Sequence, residues 1–249
     1  MTRPIVHPLA GKVRVQVHRA MPELPAALDA EVERLWQLAS ARMARGRAGP
    51  LFNGRVISAE RITPALITGH LTEFRRVVAQ YEQPALFGEL GLRPLAVSGV
   101  LCCTDGVVIG RRNMDAVILP GMWQLPPAGS VDASVVAEDG SVDLQQQLRL
   151  ELQEELGLPP DCIDAPRTLC VAEHPVTRVS SVGMQIRTTL DAGAVLAAHR
   201  TGGNAEYAPL KVVPWAELPR FIAQLGDRLV PSALPFLVRA GLLPGGNSI

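Results

Sequence analysis

The sequence has no excess of charge of either sign, because 24 lysines and arginines balance 24 aspartates and glutamates. A balanced chain offers no general basic field for a nucleic-acid polymer and no reason to expect binding to a membrane surface. The N-terminus lacks the apolar core of a signal peptide, and no apolar run approaches the roughly 18 residues of a transmembrane helix. The sequence therefore predicts a soluble protein of the cytoplasm.

Cysteine is scarce and shows no metal-site pattern. The four cysteines form no C-x-x-C pair and have no histidine at zinc-site spacing: Cys102, Cys103, Cys162 and Cys170. Cys102 and Cys103 stand side by side in an apolar run, where buried free thiols are expected rather than a disulfide or a set of ligands. Reduced thiols agree with the predicted cytoplasmic location.

The chain is long enough to bury a substantial core, with 249 residues of which 47% are hydrophobic. Residue periodicity predicts helices and strands along the whole chain. The predicted helices are 26–44, 74–81, 144–158, 192–199, 215–224 and 231–242, and the predicted strands are 13–17, 56–62, 65–71, 95–103, 107–109, 168–172, 183–190 and 210–213. Residues 45–49 are predicted to form a loop.

This order of elements predicts an α+β fold, an α/β/α sandwich around a mixed sheet with an N-terminal α/β extension. We expect residues 1–94 to form the extension and residues 95–249 the main domain. The extension is interpreted either as packing against the main domain or as a small subdomain that shapes a substrate pocket or a dimer face.

The stretch from Trp123 to Leu158 carries the clearest functional pattern. It begins W-Q-L-P-P-A-G and ends in a helix whose leucines stand four residues apart, with Gly157 as a stop. Glu151, Glu154 and Glu155 fall within an arc of roughly 100° beside that leucine stripe. Three carboxylates this close repel one another unless a cation lies among them. The alternative to a functional cluster is an acidic helix face that is exposed to solvent.

This stretch resembles the box of the Nudix hydrolases, which reads G-x5-E-x7-R-E-U-x-E-E-x-G-U with U aliphatic. Gly129 matches the opening glycine, Glu151 the glutamate after the arginine, and Glu154 and Glu155 the acidic pair. A strand ending in two arginines before the box, and strands and helices after it, extend the resemblance over roughly residues 95–242.

The sequence also departs from the family pattern. Leu150 occupies the position of the family's arginine, and Arg149 lies one residue away, about 100° around the helix. Gly129 and Leu150 lie 21 positions apart where the pattern has 14, so the loop is longer by about seven residues. Counting back from Leu150 places the first glutamate of the box at Val142. The metal-binding acids are kept, whereas the loop is rebuilt.

The resemblance implies a metal-dependent catalytic site. Glu151, Glu154 and Glu155 match the catalytic residues and the Mg²⁺ ligands, with Mn²⁺ as an alternative metal and the carbonyl of Gly129 as a further ligand. Arg111, Arg112 and His174 are candidate substrate contacts. The alternatives are solvated arginines at a strand end and a histidine without a functional role. Trp123 is interpreted as a packing residue. Glu206 is interpreted as a surface glutamate beside Tyr207, and the alternative is an extra acid near the metal.

The implied reaction is hydrolysis of the pyrophosphate linkage in a nucleoside diphosphate joined to another group. A nucleotide sugar is the first choice of substrate, because the segment Leu51-Phe52-Asn53-Gly54 resembles a branch of the family that acts on uridine diphosphate sugars. A dinucleotide or a coenzyme A compound is the second choice. The alternative is a catalytically impaired nucleotide-binding sensor or interaction protein. A homodimer is left open.

Overall fold

The computed structural model of the chain describes residues 3–18, 20–44 and 51–245, and it contains both strands and helices along these ranges. The strands are β1 (Ile5–Pro8), β2 (Arg14–His18), β3 (Arg55–Ile62), β4 (Leu66–Glu73), β5 (Leu95–Cys102), β6 (Gly106–Arg112), β7 (Trp123–Gln124), β8 (Ala128–Ser130), β9 (Arg167–Glu173), β10 (Ser180–Arg187) and β11 (Tyr207–Pro214). The α-helices are α1 (Ala26–Met43), α2 (Phe74–Glu82), α3 (Phe87–Leu90), α4 (Leu144–Leu156), α5 (Ala192–Gly202), α6 (Leu218–Leu225) and α7 (Ala233–Arg239).

The larger of two sheets has the strand order β1-β9-β10-β5-β6-β11, with β7 paired to β6 and β8 paired to β5. In this sheet β10 pairs with β5 in parallel and all other strand pairs are antiparallel, so the sheet is mixed. Strand β5 is buried on both faces. Val97 and Leu101 belong to the core that also contains the leucines of α4, whereas Val100 and Cys102 belong to the core beneath α6 and α7. Burial on both faces explains why β5 reads as a continuous apolar run.

These two cores define the predicted α/β/α sandwich around a mixed sheet, and the predicted fold class is confirmed. The cysteines agree with their predicted state. Cys102, Cys103 and Cys170 are buried, Cys162 is partly buried, and all four are free. Trp123 packs as predicted, since it is 8% exposed and its ring meets that of Phe221 edge-on at 5.5 Å.

The N-terminal part of the chain forms a second, three-stranded sheet in the order β2-β4-β3, with α2 packed against β4 and α1 packed against α2. It shares a core with the main sheet, because Val15, Ile57 and Ile67 belong to the same cluster as Leu148 and Leu152. Strand β1 crosses over to pair with β9 at the edge of the main sheet. The domain boundary between residues 94 and 95 remains a prediction. Strand β1 lies in the first of the two predicted segments but belongs to the main sheet.

Helix α4 is fixed at both ends by its own sequence. The carboxylate of Asp143 caps the N-terminus, since it accepts hydrogen bonds from the backbone N–H groups of Gln145 and Gln146, both at 3.0 Å. Gly157 ends the helix with a φ of 65°, a left-handed conformation that glycine adopts without steric cost. Leu148, Leu152 and Leu156 are fully buried beneath it.

Most predicted elements are confirmed within a few residues, and three short strands were missed: β1, β7 and β8. Each has four residues or fewer, too short for periodicity to show. The predicted loop at 45–49 lies outside the described residues. Across the described ranges, no helix combines the length and the apolar character needed to cross a membrane.

Candidate active site

A cleft of about 940 Å³ is lined by residues from both the N-terminal part and the main sheet. Six residues with predicted or considered site roles line it: Arg112, Gly129, Glu151, Glu154, His174 and Glu206. Two of the predicted residues, Arg111 and Glu155, are not among its lining residues. The structure therefore brings most of the predicted site together in one cavity.

Glu151 is held between β8 and its own helix. Its carboxylate lies so close to Gly129 that a Cβ atom there would overlap it, which explains the glycine at this position. The Gln147 side chain donates a hydrogen bond to Glu151 Oε1 at 2.8 Å. Burial, together with the charges of Glu154 and Glu206, raises the pKa of the Glu151 carboxyl to about 7.

Glu155 lies beneath the cleft and is 1% exposed. Its carboxylate accepts hydrogen bonds from the backbone N–H of Ala128 at 2.8 Å and from the hydroxyl of Tyr207 at 3.2 Å. Burial raises the pKa of Glu155 well above its ordinary value, and the charges of Glu206 and Glu151 add to this effect. Glu155 thus connects α4 to strand β8, which carries Gly129.

Glu154 is exposed on the cleft wall, one helical turn beyond Glu151. Glu206 lies on the same cavity and forms an ion pair with Arg112, with Nη1 and Oε1 at 2.8 Å. The interpretation of Glu206 as an ordinary surface glutamate was therefore incomplete. Arg112 also donates hydrogen bonds to Gln124 Oε1 and to the carbonyl of Ile118, so it fixes this wall of the cleft.

His174 lines the cleft and is partly buried, and burial lowers its pKa. Its Nδ1 accepts hydrogen bonds from the backbone N–H groups of Val176 and Thr177 at 3.2 and 3.1 Å. These bonds select the neutral ring with its proton on Nε2. Arg111 lies on an exposed surface instead, where its Nε donates to the carbonyl of Gly121.

The donor chemistry of the cleft fits a hard divalent cation. Glu151, Glu154 and Glu206 offer only oxygen, and the carboxylates of Glu151 and Glu155 are crowded by like charge. However, among residues 3–18, 20–44 and 51–245, no three His, Cys, Asp or Glu side chains are grouped so that together they could hold a metal ion. The ligand types are in place, whereas a preformed three-residue coordination group is not found in the described chain.

Sequence reasoning missed two residues that shape the site. Gln147 is 2% exposed, and its Oε1 accepts a hydrogen bond from the backbone N–H of Asp132 at 3.2 Å, which ties the long loop to α4. Phe52 lines the cleft from the N-terminal part, in the segment Leu51-Phe52-Asn53-Gly54 that sequence reasoning singled out only for its resemblance to a branch of the family. A glutamine within a helix carries no local signal, and the position of Phe52 is set by long-range packing.

No protein-family model and no curated protein sequence matches the chain. Among solved structures, it is similar to the MutT protein of Methanosarcina mazei Go1, with 15% identity over 59% of this chain and 93% of that chain and a TM-score of 0.41. It is also similar to an Ap4A hydrolase of C. elegans, with 15% identity over 53% of this chain and 91% of that chain and a TM-score of 0.36.

A third similar structure is a bifunctional NMN adenylyltransferase/ADP-ribose pyrophosphatase from Francisella tularensis, complexed with AMP and a Mn ion. The identity is 14% over 65% of this chain and 44% of that chain, with a TM-score of 0.43, so this chain spans less than half of that protein. At such identities the likeness concerns the fold and does not extend to the substrate.

Proposed function

We propose that this protein is a divalent-metal-dependent hydrolase that cleaves the pyrophosphate linkage of a nucleoside diphosphate joined to another group. The observation that carries the proposal is the placement of Gly129, Glu151 and Glu154 on one cleft, with Glu151 seated against Gly129. Three of the four box residues that the sequence singled out therefore line the same cleft, which supports the proposal. Mg²⁺ is the first choice of metal and Mn²⁺ the second, because both take oxygen ligands.

In this proposal Glu151 and Glu154 hold the cation, with Glu206 as a further acid on the same wall. The chemistry that the cation would supply, when bound, is neutralisation of charge on the diphosphate and activation of the attacking water. Glu155 keeps strand β8 in place by accepting a hydrogen bond from the Ala128 N–H, and Arg112 orients Glu206. His174 contributes a neutral ring to the wall that contacts the substrate.

A nucleotide sugar is the proposed substrate class, with a dinucleotide or a coenzyme A compound second. The cleft volume of about 940 Å³ lies at the upper end of ordinary ligand pockets, roughly 300–1,000 Å³, so it has room for both halves of a diphosphate conjugate. Incubation of the protein with such compounds and Mg²⁺ or Mn²⁺, followed by mass spectrometry, is expected to reveal a released nucleoside monophosphate. Absence of turnover across the panel with both metals would sink the proposal.

A nucleotide-binding sensor without hydrolytic activity is the second candidate. The lack of a three-residue coordination group in the described part of the chain favours it. Thermal unfolding in EDTA with nucleotides separates the two candidates, since a ligand that binds only the folded state raises the melting temperature. The sensor candidate predicts metal-independent stabilisation with no turnover, whereas the hydrolase candidate predicts metal-dependent product release.

A further inference from the structure

Phe52 is the most exposed large apolar side chain in the described part of the chain, at 83%. A single exposed hydrophobic residue needs no explanation by itself. Phe52 differs from the others because it lines the same cleft as Glu151 and Glu154, at a wall contributed by the N-terminal part. Its ring is therefore an open aromatic surface at the edge of the candidate active site.

The turn that carries Phe52 is braced on both sides. The Asn53 side chain donates to Glu73 Oε1 at 3.2 Å and accepts from the backbone N–H of Arg75 at 2.9 Å. The carbonyl of Gly54 accepts a hydrogen bond from the backbone N–H of Phe74 at 2.9 Å. The ring is thus displayed from a fixed backbone, which reduces the conformational entropy that a ligand must remove on binding.

Arg55 adds a cation to the same wall. It lines the cleft, is exposed, and makes no ion pair within the described ranges, whereas Arg112 is committed to Glu206. An arginine at a cleft wall that makes no ion pair with the described residues is suited to phosphate oxygens, which its guanidinium can bind in a bidentate manner. The aromatic ring and the cation lie three residues apart, one on the turn and one at the start of β3.

We propose that Phe52 and Arg55 form a subsite for the nucleoside monophosphate half of the substrate, with the base stacked on Phe52 and the phosphate next to it on Arg55. This assignment rests on the proposed function of the cleft and extends it to a second group of residues. Stacking on an aromatic ring is tolerant of base identity, because every base has a π face. The subsite therefore selects nucleotides as a class, and Phe52 does not by itself choose among bases.

The test compares binding of UMP, AMP and ribose 5-phosphate by calorimetry, in EDTA and again in Mg²⁺. Wild-type protein is expected to bind both nucleotides about tenfold to a hundredfold more tightly than ribose 5-phosphate. Phe52→Ala is expected to remove that difference, and Phe52→Trp to keep it. Leu38→Ala is the matched control, because Leu38 is a 56% exposed side chain on α1 away from the cleft.

Arg55→Gln tests the second half of the subsite. It is expected to weaken UMP and ribose 5-phosphate alike by about tenfold, and to leave uridine binding unchanged. Equal affinity of wild type for UMP and ribose 5-phosphate, or UMP binding that Phe52→Ala leaves intact, would overturn the subsite. These results are independent of turnover: nucleotide binding through Phe52 without any hydrolysis contradicts the proposed function and leaves the subsite standing.

Discussion

Glu151 approaches Gly129 so closely that no side chain fits between them, so the glycine leaves the space that the carboxylate occupies on the cleft. The two residues lie 22 positions apart, on β8 and on α4. In the proposed function, the same contact places the backbone of β8 at Gly129 next to an acid that binds the metal. The role of Gly129 is therefore steric, and a substitution tests it directly.

Gly129→Ala is expected to displace Glu151 and to reduce turnover at least tenfold, with little loss in the free energy of unfolding, because the atoms that must move are the end of a flexible side chain. Steady-state kinetics and urea denaturation check the two effects. Gly88→Ala is the control, because a Cβ there meets nothing within 4 Å. A fully active Gly129→Ala variant would show that the Glu151 carboxylate does not need the space that Gly129 leaves.

Gln147 links the long loop to helix α4 in a sequence that lacks the arginine of the Nudix box. That arginine's position holds Leu150, which is 42% exposed. Gln147 lies one turn earlier, is buried, and bonds the backbone of Asp132 on one side and the carboxylate of Glu151 on the other. The rebuilt loop is thus attached to α4 by a neutral side chain.

Gln147→Ala leaves the Asp132 N–H and the Glu151 carboxylate without these partners. We expect a loss of about 1–3 kcal/mol in stability and a fall in kcat of about tenfold with little change in KM, because Gln147 positions Glu151 without touching the substrate. Gln146→Ala, an exposed neighbour on the same helix, serves as control. A change in KM alone would contradict a positioning role.

The residue-scale contacts show why the sequence predicted only part of the site. Glu151, Glu154 and Gly129 follow a spaced pattern within one stretch, and the structure brings them to one cleft. Gln147 and Glu206 belong to no such pattern, since their roles depend on partners elsewhere in the fold. Sequence reasoning treated Glu155 as equivalent to Glu154, whereas tertiary packing buries the first and exposes the second.

At the scale of elements, α1 and α2 are joined by a bidentate ion pair between Arg42 and Glu82. Arg42 Nη1 and Nη2 lie 2.9 and 2.5 Å from the two carboxylate oxygens. The hydrogen bonds from Arg42 lower the pKa of Glu82 below its ordinary value of 4.5, although partial burial opposes the shift. A carboxyl whose pKa is lowered by folding stabilises the folded state above its unfolded pKa.

Glu82→Gln is expected to cost about 0.5–1 kcal/mol of unfolding free energy at pH 7, the usual range for a well-formed but partly exposed pair. The wild-type advantage is present above about pH 4.5 and is lost as the pH falls through the lowered pKa of the folded state. Urea denaturation from pH 7 to pH 3 measures this. If the difference in unfolding free energy between variant and wild type does not change with pH, the ion pair does not stabilise the folded state in this way.

Most elements were predictable because their periodicity is local. Helix α1 shows apolar residues at helical spacing, and β5 is a continuous buried run between turn signals. Strand β1 was not predictable, since it has four residues, ends in a proline and is only half-buried. Its pairing with β9 connects residues more than 160 positions apart, which no local pattern reports.

At the scale of the whole molecule, the N-terminal sheet and the main sheet share one hydrophobic core. Arg93 reinforces their junction: its Nη2 lies 2.8 Å from Oε2 of the buried Glu173. Calorimetry is therefore expected to show a single thermal transition whose van't Hoff enthalpy equals the calorimetric enthalpy. A separate early transition for residues 1–94 would show that the extension unfolds independently.

The most direct test of the central claim is turnover by wild type and by Glu154→Gln, measured as nucleoside monophosphate release from nucleoside diphosphate conjugates in Mg²⁺ and in EDTA. Release that requires Mg²⁺, is lost in Glu154→Gln and is intact in Glu89→Gln, an exposed glutamate outside the cleft, is the predicted result. Release that persists in EDTA or in Glu154→Gln contradicts the account.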